Sequence, residues 1–202
     1  DCQPVYSPDG QWLAWTSMRR AGFESDKKDI ILFNRKTGNM KNLTENFDNS
    51  IDEFVWSSDS KVIYFTAPYQ IYNSIYKLDI KTGNIEIFHK DNYNTKIQLS
   101  KDGKNLFFLK QRSNLPAEIF SQSTDGKNTL RRITFTNEDI LSQLEMIPVE
   151  TFWCEGANGD KVQSILVKPP FFDANKKYPM MFLIHGGPQG PAHPRALARR
   201  LE

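Results

Sequence analysis

Tyr6-Ser-Pro-Asp-Gly-Gln-Trp-Leu-Ala-Trp-Thr16, Trp56-Ser-Ser-Asp-Ser-Lys-Val-Ile-Tyr-Phe-Thr66 and Leu99-Ser-Lys-Asp-Gly-Lys-Asn-Leu-Phe-Phe-Leu109 are three versions of one phrase. Each reads as a turn followed by a strand. The aspartate accepts from backbone N–H groups two residues on, the glycine tolerates positive φ, and the apolar run that follows suits a strand between two layers. A second phrase recurs after each: Phe33-Asn-Arg-Lys-Thr-Gly38, Leu78-Asp-Ile-Lys-Thr-Gly83 and Ser121-Gln-Ser-Thr-Asp-Gly126, each followed by a short alternating run. Asp9, Asp59 and Asp102 are 50 and 43 residues apart, and Gly38, Gly83 and Gly126 are 45 and 43 apart. A period of that size, with about four strands per unit, is the signature of propeller blades. The spacing sets blades at about 3–48, 52–93 and 95–135, a partial β-propeller over residues 1–135. Three blades do not close a ring, so the reading expects the sequence to be part of a longer one.

The character of the chain changes after residue 135. Thr136-Asn-Glu-Asp139 matches a helix start, and Ile140, Leu141, Leu144 and Ile147 follow at helical spacing, so 136–150 is expected to be a linking helix. Two strands, 149–155 and 161–168, flank Gly156-Ala-Asn-Gly-Asp160, whose Asn-Gly pair signals a hairpin. Pro169-Pro170 ends the second, because proline donates nothing to a ladder. Tyr178-Pro-Met-Met-Phe-Leu-Ile184 is almost wholly apolar, which predicts a central strand covered on both faces.

That run leads into His185-Gly-Gly-Pro-Gln-Gly190. A glycine-rich loop opened by histidine at the end of a buried strand is where α/β-hydrolases offer a backbone N–H to an oxyanion. Glycine suits the place because a side chain would block the approach of substrate to backbone. The plainer alternative is a strand exit that merely turns.

The order of Ser-Pro-Asp-Gly blades, linking helix, hairpin, Lys177-Tyr-Pro179, apolar strand and His185–Gly190 resembles the prolyl oligopeptidase family of serine peptidases, in particular its bacterial dipeptidyl aminopeptidase and acylaminoacyl-peptidase branch. The resemblance runs from Asp1 to about Gly190. It implies a mainly β chain: about three TolB-like blades, then the first strands of an α/β-hydrolase domain at 151–190. It also implies hydrolysis of peptide substrates through an acyl-enzyme on a serine nucleophile. On this reading Gly187 supplies an oxyanion N–H, while His185, Gly186 and Pro188 shape the loop. The nucleophile elbow Gly-x-Ser-x-Gly is not in the sequence, and no histidine has a triad setting, so the 202-residue chain alone is expected to be inactive. The rival reading is a non-enzymatic TolB-like propeller serving as an interaction module.

Between the strands of the first blade, Met18-Arg-Arg-Ala-Gly-Phe-Glu-Ser-Asp-Lys-Lys28 is long and densely charged. An exopeptidase that releases dipeptides needs carboxylates for the substrate's free amine, which makes Glu24 and Asp26 candidates, with Phe23 as an apolar neighbour. A solvated surface loop is the alternative.

Composition narrows the partners. A net charge of +2, and no basic cluster interleaved with aromatics, gives no footprint for nucleic acid or an acidic membrane surface. No apolar run approaches bilayer length. Cys2 and Cys154 have no ligand spacing, so neither a metal nor a disulfide framework is expected, and both read as small apolar side chains, Cys154 in a strand. No cofactor is called for. The first twenty residues lack the order of a signal peptide, which leaves the compartment unknown. Residues 191–202 use Arg three times and Lys never, against 17 Lys and 6 Arg before them, and end in Leu-Glu. They read as vector-derived, the alternative being a native basic helix start. Uncovered blade faces lead to a further expectation, self-association.

Overall fold

The computed structural model describes residues 1–184 except residues 24 and 128. Three successive antiparallel units of four strands account for its first 132 residues. The first comprises β1 (Cys2–Tyr6), β2 (Trp12–Met18), β3 (Lys28–Asn34) and β4 (Met40–Asn42). The second comprises β5 (Glu53–Trp56), β6 (Val62–Tyr69), β7 (Tyr72–Asp79) and β8 (Ile85–His89), and the third β9 (Tyr93–Leu99), β10 (Asn105–Arg112), β11 (Leu115–Ser123) and β12 (Leu130–Arg132). Within each unit every strand pairs with the next in sequence, and one parallel bridge, Asn73 to Tyr93, links the second unit to the third. The chain is mainly β, and its units are propeller blades.

The repeated phrase makes the same turn three times. Ser7 Oγ donates to Asp9 Oδ1 at 2.6 Å, Asp9 Oδ1 accepts the Gln11 N–H, and Ser7 Oγ accepts the Trp12 N–H. Ser57 and Asp59 repeat this with Lys61 and Val62, as do Ser100 and Asp102 with Lys104 and Asn105. Each serine hydroxyl holds its aspartate's carboxyl below the usual range, with the backbone N–H bond adding to the effect. The second phrase is an Asx turn: Asn34 Oδ1 accepts the N–H groups of Lys36 and Thr37, and Asp79 Oδ1 those of Lys81 and Thr82.

Two cores lie between the three blades. Ala14, Ile30 and Leu32 of blade one meet Phe54, Trp56, Ile63, Phe65, Tyr76 and Leu78 of blade two. Tyr64 and Ile75, on the other face of blade two, meet Ile97, Leu106, Phe108 and Phe120 of blade three. The middle blade is covered on both faces, which is why Ile63 to Ala67 are all buried where β10 buries only alternate residues. Phe47 seals the first core, edge-on to Phe65 and Tyr76 at centroid distances of 5.4 and 5.0 Å.

Beyond the blades three expectations need correction. The linking helix is a single turn, α1 (Glu138–Leu141), capped at Asn137 without a side-chain hydrogen bond. Thr136 lies before the cap, with its N–H bonded to Glu118 Oε1. Ile140 and Leu144 stand exposed, so the apolar face of a longer helix would have nothing to pack on, and short helices depend on such packing. Residues 178–184 form no strand among the described residues: β13 (Glu150–Glu155) and β14 (Lys161–Leu166) pair only with each other, so this run finds no ladder to join. Cys2 and Cys154 are both exposed rather than packed, Cys154 because all of β13 is exposed. The hairpin itself forms as read, with Asn158 and Gly159 both at positive φ, as a type I′ turn requires.

Candidate functional site

The loop between β2 and β3 closes on itself. Asp26 takes the Arg20 backbone N–H on Oδ2 at 2.8 Å, Arg20 Nε lies 3.0 Å from Oδ1, and the terminal guanidinium nitrogen also bonds Oδ1. The Arg20 side chain is mostly exposed while that of Asp26 is largely covered. Arg20's side-chain hydrogen bonds hold the Asp26 carboxyl below its usual range, outweighing the opposing effect of burial. The guanidinium carbon sits 3.9 Å from the centre of the Phe23 ring, which is itself 45% exposed. Two backbone bonds, Phe23 N–H to Arg20 O and Asp26 N–H to Phe23 O, complete the fold-back.

The loop's return stem is anchored separately. Lys27 Nζ donates to the carbonyls of Thr44, Glu45 and Phe47 at 3.0, 3.0 and 2.6 Å and lies 2.9 Å from Asp29 Oδ1. One ammonium thus satisfies a cluster of turn carbonyls and joins the loop to the end of its blade.

Of the residues singled out from sequence, Phe23 and Asp26 are brought together, with Arg20 between them. The carboxylate of Asp26 faces Arg20, and the Phe23 ring beside the Arg20 guanidinium is partly exposed. Glu24, His185, Gly186, Gly187 and Pro188 lie outside the described residues, as do 191–202. The approach to them, Met180 to Ile184, is exposed.

A second polar cluster was not read from the sequence. Lys110, with no exposed side-chain surface, places Nζ 2.6 Å from Asp91 Oδ1 and 3.0 Å from His89 Nε2, and His89 Nε2 is 2.6 Å from the same carboxylate oxygen. Burial pushes the Asp91 carboxyl up, but hydrogen bonds from His89 and Lys110 outweigh it and hold the group well below the usual carboxylate range. Burial lowers the Lys110 ammonium, opposed by its bond to Asp91. Phe108 packs against His89 at a centroid distance of 5.1 Å. The signal was present in β10: Leu106, Phe108 and Lys110 alternate inward, so a lysine stands in a core register. The same holds for Glu118 on β11, buried two places before Phe120 and bonded by Thr134 Oγ1, Arg132 and the Thr136 N–H. These clusters tie blade two to blade three, and blade three to the segment before α1. No trio of metal-ligating side chains occurs among the described residues.

Comparison with known proteins agrees with this architecture. The model of the TolB beta propeller domain matches residues 1–142. Dipeptidyl-peptidase 5 of Porphyromonas gingivalis is 32% identical over 190 residues, 94% of this chain and 27% of the relative. The probable dipeptidyl-peptidase 5 of Trichophyton verrucosum is 31% identical, over 93% of this chain and 26% of the relative. The chain therefore spans about a quarter of the length of these relatives. Among solved structures, an acylaminoacyl peptidase in complex with Z-Gly-Gly-Phe-chloromethyl ketone superposes with a TM-score of 0.73 at 20% identity, covering 91% of this chain and 27% of that one. TolB from Acinetobacter baumannii gives a TM-score of 0.53 at 21% identity, covering 85% of this chain and 39% of that one. At these identities the structural likeness concerns the fold.

Proposed function

Because the chain belongs to the TolB beta propeller domain family, we propose that it is the junction between propeller and hydrolase domain in a serine exopeptidase of dipeptidyl aminopeptidase or acylaminoacyl-peptidase type. One observation carries the reading: the likeness to dipeptidyl-peptidase 5 does not stop with the propeller but extends over 94% of the chain, through the hairpin and beyond it. A propeller used only for interaction has no need of that continuation or of His185–Gly190.

In the proposed enzyme the serine nucleophile, its base and the orienting acid come from sequence outside these 202 residues. The chain contributes two elements. Gly187 donates its backbone N–H to the oxyanion of the tetrahedral intermediate, in a loop shaped by His185, Gly186 and Pro188. The blade-one loop faces the substrate's free amine, with Glu24 as the anchoring carboxylate and Phe23 as its apolar neighbour. Asp26, already bound to Arg20, takes a supporting part. The 202 residues alone hydrolyse nothing, since no Gly-x-Ser-x-Gly elbow is present.

The test uses the longer reading frame. Expressed in full, the protein should cleave dipeptidyl or acyl-amino-acid chromogenic substrates and lose activity to a serine-directed phosphonate. Gly187→Val should lower kcat on the order of 10²–10³ by removing one oxyanion donor. A full-length protein inert on every such substrate would favour the TolB-like interaction module. A Gly187→Val enzyme with normal kcat would overturn the oxyanion assignment alone.

A further inference from the structure

Glu118 stands in a core register of β11 with no exposed side-chain surface, two places before Phe120. A buried carboxylate is costly unless donors meet it, and a well-packed apolar residue in its place is often at least as stable. Among the described residues its side-chain hydrogen bonds run to one place, the chain that leaves blade three. Arg132 Nη2 lies 3.4 Å from Oε1, the Thr136 N–H donates to Oε1 at 3.0 Å, and Thr134 Oγ1 donates to Oε2. The bond from Thr134 holds the carboxyl below its usual range, which keeps it charged at neutral pH.

The departing segment is tied around this group. β12 ends at Arg132, yet the Ile133 N–H still reaches Ile119 O at 2.8 Å, and the Ile119 N–H turns to Thr134 Oγ1 at 2.9 Å, so a threonine hydroxyl extends the ladder by one rung. Arg132 gives Nε to Thr134 O at 2.8 Å, pairs with Glu138 Oε2 at 2.9 Å and lays its guanidinium 4.3 Å from the centre of the Phe135 ring. Residues 142–146 are exposed, and the Val149 N–H then returns to Ser113 Oγ at 3.2 Å, at the turn between β10 and β11. The linker is thus fastened to a single hairpin before it enters β13.

We propose that Glu118 is a positioning residue: it clasps residues 132–137 to blade three and so fixes the direction in which the chain leaves the propeller for the hydrolase domain. An apolar residue at 118 would fill the blade and leave this exit free. The proposal rests on the peptidase reading above, in which one peptide is held at the propeller and cut beyond it. The free amine and scissile carbonyl of a dipeptidyl substrate are only about 7 Å apart, so the two parts must meet it in one fixed relation. A misplacement of about 1 Å costs on the order of 10²-fold in rate.

Two measurements test this. In the 202-residue chain, Glu118→Ala should speed hydrogen exchange at the Ile133, Thr136 and Glu138 amides by about tenfold while β9 and β10 keep their protection. In the full-length enzyme it should lower kcat/KM for free-amine dipeptidyl substrates by about tenfold or more, yet leave hydrolysis of p-nitrophenyl acetate, too small to reach the propeller, within about twofold. Glu118→Gln should restore most of the loss, since its oxygen still accepts the Thr136 N–H and its amide donates to Thr134 Oγ1. Thr134→Val, which leaves the carboxylate in place, should give the same pattern more weakly, and it stands in for an alanine variant that does not fold.

Unchanged exchange in both Glu118→Ala and Thr134→Val would overturn the clasp. An active enzyme whose variants keep their kcat/KM on dipeptidyl substrates, or lose equally on dipeptide and ester, would overturn the positioning role. A full-length protein inert on all of these substrates would instead overturn the reading on which the proposal stands, with the exchange result still deciding whether Glu118 holds the linker.

Discussion

Ser60 Oγ accepts the backbone N–H of Asp9 at 3.1 Å, so the turn of blade two is bonded to the turn of blade one. Ser60 occupies the place that glycine holds in the other two repeats, and it does so at φ +61°. Its side chain is buried, and the hydrogen bond it makes offsets the strain of a left-handed serine. Ser60→Ala should keep the strain and lose the bond, at a cost of about 1 kcal/mol. Ser60→Gly loses the bond but sheds the strain, and should fall within about 0.5 kcal/mol of the parent. Urea unfolding of both variants checks this, and an alanine variant as stable as the glycine one would refute it.

The adjacent pair of turns meets differently. At Gly103, φ is +72° and an added Cβ would lie 2.7 Å from Ser58 Oγ and 3.3 Å from Ser58 Cβ. Gly126 has a similar φ of +82° with open space around it. Gly126→Ala therefore measures backbone strain alone, about 1 kcal/mol, and Gly103→Ala should cost roughly a further 1 kcal/mol for the contact. Ser58→Ala combined with Gly103→Ala should return the hydroxyl's share of that excess and leave the strain. Equal losses at the two glycines would show that the turns of blades two and three do not press on each other.

The repeats were legible because each encodes its own turn. The Ser-x-Asp hydrogen bonds are local, so a single sequence specifies them, and Ser60 could be aligned with Gly10 and Gly103 before its partner was known. The partner, Asp9 N–H, lies 51 residues away and is set by blade packing. The candidate loop divides the same way: its charge and Phe23 are visible in sequence, but which carboxylate Arg20 would take was not. Periodicity predicts a helix over 136–150 and a strand over 178–184, but it says what a segment could bury, not whether a neighbour is there to bury it. Ile140 and Phe182 are 65% and 78% exposed for that reason.

The Asp91–Lys110–His89 cluster gives a pH-dependent prediction. The folded state binds the Asp91 proton more weakly than the unfolded chain does. Its contribution is thus complete above the unfolded value, about pH 4, and is lost as pH falls through the lower folded one. Asp91→Asn leaves the buried Lys110 without its carboxylate and should cost on the order of 2–3 kcal/mol near pH 7. That is less than for a fully buried pair, because Asp91 is half open to water. The gap between parent and variant should shrink below about pH 4. Lys110→Met combined with Asp91→Asn, which removes both charges, should recover most of that loss. Denaturant midpoints across pH 2.5–7 would decide, and a gap that does not narrow in acid would count against this account.

The last prediction concerns the segment after the blades. β13 and β14 form a sheet of two strands with Phe152, Trp153, Val162 and Leu166 exposed, and Phe171, Met180, Phe182 and Ile184 follow with 78% or more of their surface open. A two-stranded hairpin is marginal by itself, and a run of large apolar side chains of this extent exceeds what a soluble monomer ordinarily shows. The 202-residue chain should therefore associate with itself through this segment, and sedimentation velocity should show mass rising with concentration. Truncation after Pro148 should abolish most of the effect while the blades stay folded, since their two cores draw on nothing beyond Phe120. A 202-residue chain that sediments as a monomer throughout, or a truncated one that associates as strongly, would refute the assignment to the hairpin and the run beyond it.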